Sequence, residues 1–150
     1  MNLARLDEYT QRVLSEAGWY CGRRFDCGNW IELLKREGYQ PHAYALEILA
    51  ELGDIYICTK PAPPHCAATF NFNPYDSASG EYDRMGDFQN DSHDLLFPIG
   101  ECFQNILYAG TSRRIYSGSW VGLQLVGESI EDFLNNMFSD DFVPVNIGRE

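Results

Sequence analysis

A proline inside an apolar run constrains this chain more sharply than any other feature. The run is Leu95-Leu96-Phe97-Pro98-Ile99-Gly100-Glu101. Its composition reads as a strand, yet proline removes a ladder donor, so the strand belongs at an edge, an end or a bulge. Gly100 allows backbone angles that a side chain forbids, and Glu101 stands where the apolar run stops. The next segment is a hairpin: Asn105–Ala109 and Arg113–Ser117 flank Gly110-Thr111-Ser112. Trp120–Val126 is a further strand, with Val121, Leu123 and Leu125 on one face.

Before this stretch the pattern is helical, then extended. Residues 2–17 place Leu3, Leu6, Val13, Leu14 and Ala17 on one face, with Asn2 as a candidate N-cap and Gly18 beyond the end. A second helix fits 29–37, with Asp26 or Asn29 to accept first-turn amides, Lys35 and Arg36 in its last turn, and Gly38 after it. A third fits 42–52, between Pro41 and Gly53. Ile55–Thr59 and His65–Asn73 are β-like, separated by the rigid Lys60-Pro61-Ala62-Pro63-Pro64 segment. Residues 75–94 read as a long loop that admits a short helical turn; a loop of that length is usually functional or mobile. After Trp120–Val126, Ser129-Ile130-Glu131-Asp132 resembles a capping box. It opens a helix that turns Ile130, Phe133, Leu134 and Met137 to the core. The tail from Ser139 is open to docking on the sheet or to staying loose. The expectation is a single α+β domain over 1–150. Its sheet is antiparallel, or at most mixed, with about five or six strands packed against N-terminal helices and a C-terminal helix.

Charge and cysteines narrow the function classes. Residues 1–60 carry seven Lys/Arg against nine Asp/Glu, whereas 61–150 carry four against thirteen. Such a balance repels phosphate and argues against direct nucleic-acid binding, while it attracts a basic partner. The five cysteines are odd in number, scattered, and form no C-x-x-C pair. Reduced thiols in a reducing compartment are the expectation. No apolar run reaches the about eighteen residues of a membrane span, and Met1–Glu8 lacks the pattern of a secretory signal. The expected location is the cytoplasm, and the expected state a monomer.

No constellation in the sequence carries catalysis. His65-Cys66 would point to opposite faces of a strand, His42, His65 and His93 lie far apart, and zinc, P-loop, Rossmann and serine-hydrolase signatures are absent. The acids Glu81, Asp83, Asp87, Asp91 and Asp94 lack EF-hand spacing. They read as a solvated acidic segment or as a charged docking surface. Glu101 reads as a turn or cap acceptor before it reads as a general base. Tyr56, Phe70, Phe72, Tyr108, Tyr116 and Trp120 are core residues by default, and partner anchors where they face outward. No cofactor and no metal are expected, and no enzymatic activity.

Four stretches together resemble the SUKH superfamily, most closely its third immunity-protein family. They are Val13–Tyr20 with Gly22-Arg23-Arg24, Trp30–Tyr39, Phe70-Asn71-Phe72-Asn73-Pro74, and Leu96-Phe97-Pro98-Ile99-Gly100-Glu101. The likeness extends over roughly residues 10–137. One departure is the hairpin Ala109-Gly110-Thr111-Ser112, which lacks the carboxylate often found there. The resemblance implies a bacterial immunity protein that binds and neutralises a cognate polymorphic or contact-dependent toxin domain, a basic nuclease or a deaminase. Glu81, Asp83, Asp87, Asp91, Asp94, Glu101 and Trp120 are the expected partner-binding residues. Two other classes stand beside it: a regulatory scaffold of the same superfamily with an endogenous partner, and a small metal-dependent hydrolase using Glu101 and the histidines.

Overall fold

A computed structural model describes residues 1–148. Its centre is a seven-stranded, wholly antiparallel sheet whose strands lie side by side in chain order. The strands are β1 Tyr56–Cys58, β2 Thr69–Asn71, β3 Leu96–Cys102, β4 Asn105–Gly110, β5 Ile115–Ser119, β6 Gly122–Gly127 and β7 Val145–Ile147. The count exceeds the expected five or six because the C-terminal tail docks: Val145, Asn146 and Ile147 pair with Leu125, Gln124 and Leu123. The helices are α1 Glu8–Glu16, α2 Gly28–Glu37, α3 Ala43–Leu52, α4 Pro74–Ala78, α5 Met85–Ser92 and α6 Ile130–Asn136.

The proline-bearing run is β3, an interior strand, and its irregularity is a bulge. Pro98 lies opposite Tyr108 and Gly100 opposite Leu107, so Ile99 is the extra residue. Gly100 is required by close approach. A Cβ there would lie 1.9 Å from the Asn71 carbonyl oxygen of β2. The bulge is held from outside the sheet by α4, where the Ser77 hydroxyl donates to the Gly100 carbonyl at 2.8 Å.

Two layers cover the sheet. On one side Phe133 of α6 packs on Phe70 at 5.5 Å between ring centroids. On the same side His42 Nε2 donates to the Ala109 carbonyl at 2.8 Å, fastening the start of α3 to β4. On the other side Phe88 of α5 meets Tyr108 at 5.8 Å, directly over Gly118, where a Cβ would lie 2.8 Å from both rings. Phe97, Leu107, Ile115, Phe133 and Leu134 are fully buried between these layers.

Several boundaries differ from the sequence reading. Residues 75–94 are mostly helical: α4, a 3-10 turn at Tyr82–Arg84, and α5. The acidic loop expected there is organised by Asn73, whose side chain accepts from Asp76 N, and by Pro74 at the first helical turn. The first helix splits into a 3-10 turn at Leu3–Arg5, capped by Asn2, and α1. The strand expected over 65–73 narrows to Thr69–Asn71, His65 making only isolated bridges to Ala62 and Ser139. Val121 falls in the β5–β6 turn rather than on a strand face. Gly18 takes a positive φ of 111° just past α1, and Gly38 and Gly53 follow α2 and α3 directly, Gly38 in the left-handed region and Gly53 at a φ of −51°.

Candidate functional site

Residues opposite one another across strands share a face. One such row crosses the whole sheet: Tyr56, Asn71, Glu101, Ile106, Gly118, Leu123 and Ile147. Tyr108 stands on the same face, two residues from Ile106. α5 lies over part of this face, and the space between them is a cleft of about 340 Å³. Glu81, Asp83 and Arg84 line one wall, Phe88, Ile106 and Tyr108 the interior, and Trp120 and Ser119 the opposite rim.

Glu81 and Asp83 are exposed, and neither makes an ion pair among the described residues. Arg84 lies 4.8 Å from the centre of the Phe88 ring, a cation–π contact. Tyr108 is wholly buried, yet its hydroxyl has no hydrogen-bond partner among the described residues. Burial foremost, then the nearby Tyr39 phenol and the Glu81 carboxylate, push the Tyr108 phenol above its ordinary range, with Arg84 opposing. The group therefore stays neutral and can both donate and accept. Trp120 is 86% exposed and Val121 81%. Together they form an apolar tip on the turn between β5 and β6.

A second cleft, of about 310 Å³, lies on the other side of that tip. Asp91, Val121, Leu123, Gln124 and Ile147 line it, and Ser119 lines both. Its far wall exists because the tail docks as β7. The helix α5 spans the distance between the clefts, carrying exposed Asp87 along its length.

Of the residues expected to meet a partner, Glu81, Asp83 and Trp120 thus converge on one cleft, and Asp91 lies at the adjoining one. Glu101 is half-buried on the same sheet face, opposite Ile106 and Asn71. Asp94 is turned elsewhere. It accepts from the Thr111 hydroxyl at 2.9 Å, from Ser112 N at 3.2 Å, from the Ser112 hydroxyl, and from the Tyr116 hydroxyl at 3.1 Å. The hairpin that lacks a carboxylate of its own is braced by this one. Arg84 and Val121 carried no functional signal in the sequence. Tyr108 carried the ordinary signal of a core aromatic, and only its unmatched hydroxyl distinguishes it.

Among the described residues, no group of three or more His, Cys, Asp or Glu is placed to hold a metal ion, and no helix is long and apolar enough to cross a membrane. The family described as SUKH-3 immunity protein matches residues 6–140. No curated protein and no solved structure matches the chain.

Proposed function

Because this chain belongs to the SUKH-3 immunity protein family, we propose that it neutralises a cognate, basic toxin domain by binding it across the acidic and aromatic face formed by α5 and the Trp120–Val121 turn. The observation that carries this reading is one juxtaposition. Glu81 and Asp83, without ion-pair partners among the described residues, share a cleft with a tryptophan that is 86% exposed. Exposed tryptophan on a soluble surface is costly to leave in water and is enriched where partners anchor. Carboxylates around it steer a cationic partner and exclude an acidic one.

Neutralisation by binding needs no chemistry from this chain. A domain that grips nucleic acid presents cations to phosphate, and a carboxylate surface offers those cations an alternative partner. Asp87 and Asp91 extend the acidic face along α5, and Glu101 adds charge from the sheet. Asp94 contributes by holding the hairpin behind this face in place. The site of action is the cytoplasm of the producing cell, where the partner would otherwise act.

Co-expression with basic toxin domains drawn from the neighbouring genes tests the proposal. A complex that co-purifies, and cells that survive toxin expression only with this protein present, are the expected results. Failure to bind together with failure to rescue would overturn it.

A further inference from the structure

We infer that the cleft under α5 is a socket for one arginine side chain of the partner. In it Glu81, Asp83 and the Tyr108 hydroxyl accept from the guanidinium, and Trp120 closes over its plane. The inference rests on the binding reading above and names the chemistry that the face recognises.

Three observations on independent groups converge. The Tyr108 hydroxyl is buried at the cleft with no partner among the described residues. A buried hydroxyl without a partner is desolvated with nothing in return, and such groups in folded proteins call for an explanation. Glu81 and Asp83 line the same cleft and make no ion pair among the described residues. Against the single cation Arg84 these two carboxylates leave the cleft net negative, which disfavours an anionic ligand and favours a cationic one. Finally, the aromatic groups at the cleft divide. Arg84 takes the Phe88 ring, 4.8 Å from its centre, whereas the Trp120 indole is 86% exposed and open to a second cation.

Arginine fits better than lysine. A guanidinium presents five donors in a plane, which suits several acceptors around it and an indole face over it. An ammonium is a strongly hydrated point charge that gains less from stacking. At about 340 Å³ the cleft takes one long side chain rather than a folded element.

The probe is N-acetyl-arginine amide, titrated into the labelled protein and read by amide and indole NMR shifts. N-acetyl-citrulline amide and N-acetyl-lysine amide serve as controls. Shifts confined to residues 81–84, 118–120 and the Trp120 indole are expected from the arginine probe, none from citrulline, and weaker ones from lysine. The double variant E81Q/D83N is expected to abolish them. Tyr108→Phe removes an unmatched buried hydroxyl. Its thermal midpoint is therefore expected to hold or rise, while affinity for both the arginine probe and the cognate toxin domain found by co-expression falls about tenfold or more. Equal shifts from lysine, shifts spread evenly over all acidic surfaces, or a lowered midpoint for Tyr108→Phe would each overturn the socket. The two proposals fail separately. If the toxin domain binds the wild type and Tyr108→Phe equally, the socket is wrong and the binding reading stands. If the toxin domain does not bind while the arginine probe still seats in the cleft, the reverse holds.

Discussion

Asp94 shows how one carboxylate can brace a hairpin. Burial is the largest influence on it and pushes its pKa up. The hydrogen bonds donated by Ser112 and Thr111, with that from Tyr116, outweigh burial and hold the carboxyl below its ordinary range. A group depressed on folding contributes stability that is present above its unfolded pKa and lost as pH falls through the folded value. The thermal midpoint should therefore drop on acidification below about pH 4, and Asp94→Asn should show a shallower acid limb. At neutral pH that variant should lose about 1 kcal/mol, the low end for a charged acceptor because Asp94 is partly solvated. Trp120 is the contrasting case. With 86% of its surface exposed, Trp120→Ala should leave the midpoint unchanged. On the binding proposed above, its effect belongs in calorimetric affinity for a cognate toxin domain, at about 2 kcal/mol or more. Burial foremost, with Glu101 beside it, pushes the Cys102 thiol up to about 12. Iodoacetamide on the native protein should thus label the exposed Cys21 and Cys58 and spare Cys102.

At the scale of elements, much of the architecture was legible because it rests on local signals. Gly38 closes α2, and Ser129 caps α6 by accepting from Asp132 N at 3.1 Å. The β4–β5 hairpin lies where its glycine and threonine placed it. What was illegible depends on contacts distant in sequence. Gly100 permits a bulge because β2 passes so close, and no local pattern reports that neighbour. Residues 75–94 are polar enough to read as loop, yet Met85 and Phe88 are buried against the sheet and make that segment helical. The cleft was half legible. Its acids are visible as charge and Trp120 as an aromatic that anchors a partner only where it faces outward, whereas Tyr108 and Arg84 acquire meaning only from what lies around them. His42 illustrates an element fixed from both ends. Its Nδ1 accepts from Ala45 N at 3.3 Å as the cap of α3, and its Nε2 donates to Ala109 of β4. His42→Asn should keep the cap and lose the bond to the strand. His42→Ala should lose both and be less stable by about 1–2 kcal/mol in urea unfolding.

For the whole molecule, charge governs how a partner is met and topology governs how the chain is assembled. With a formal charge of −11, association with a basic domain should slow and weaken between low and high salt, since exposed charges are screened beyond about 8–10 Å at physiological strength. Stopped-flow rates across that range check this, and a rate indifferent to salt would argue against electrostatic steering. The strands β3 to β6 are joined by connections of two, four and two residues, so the central ladder closes locally as it is made. The opposite holds for the N-terminus. Asn2 N donates to Glu131 at 2.6 Å, Asp7 N to Asn135 at 2.9 Å, and Asn135 returns a bond to the Arg5 carbonyl. Those partners lie in α6, between 128 and 130 residues further along. A ribosome must therefore release the segment through α6 before Asn2–Asp7 find their places, and a nascent chain stalled short of α6 carries its central ladder with the Leu3–Arg5 turn still unmoored.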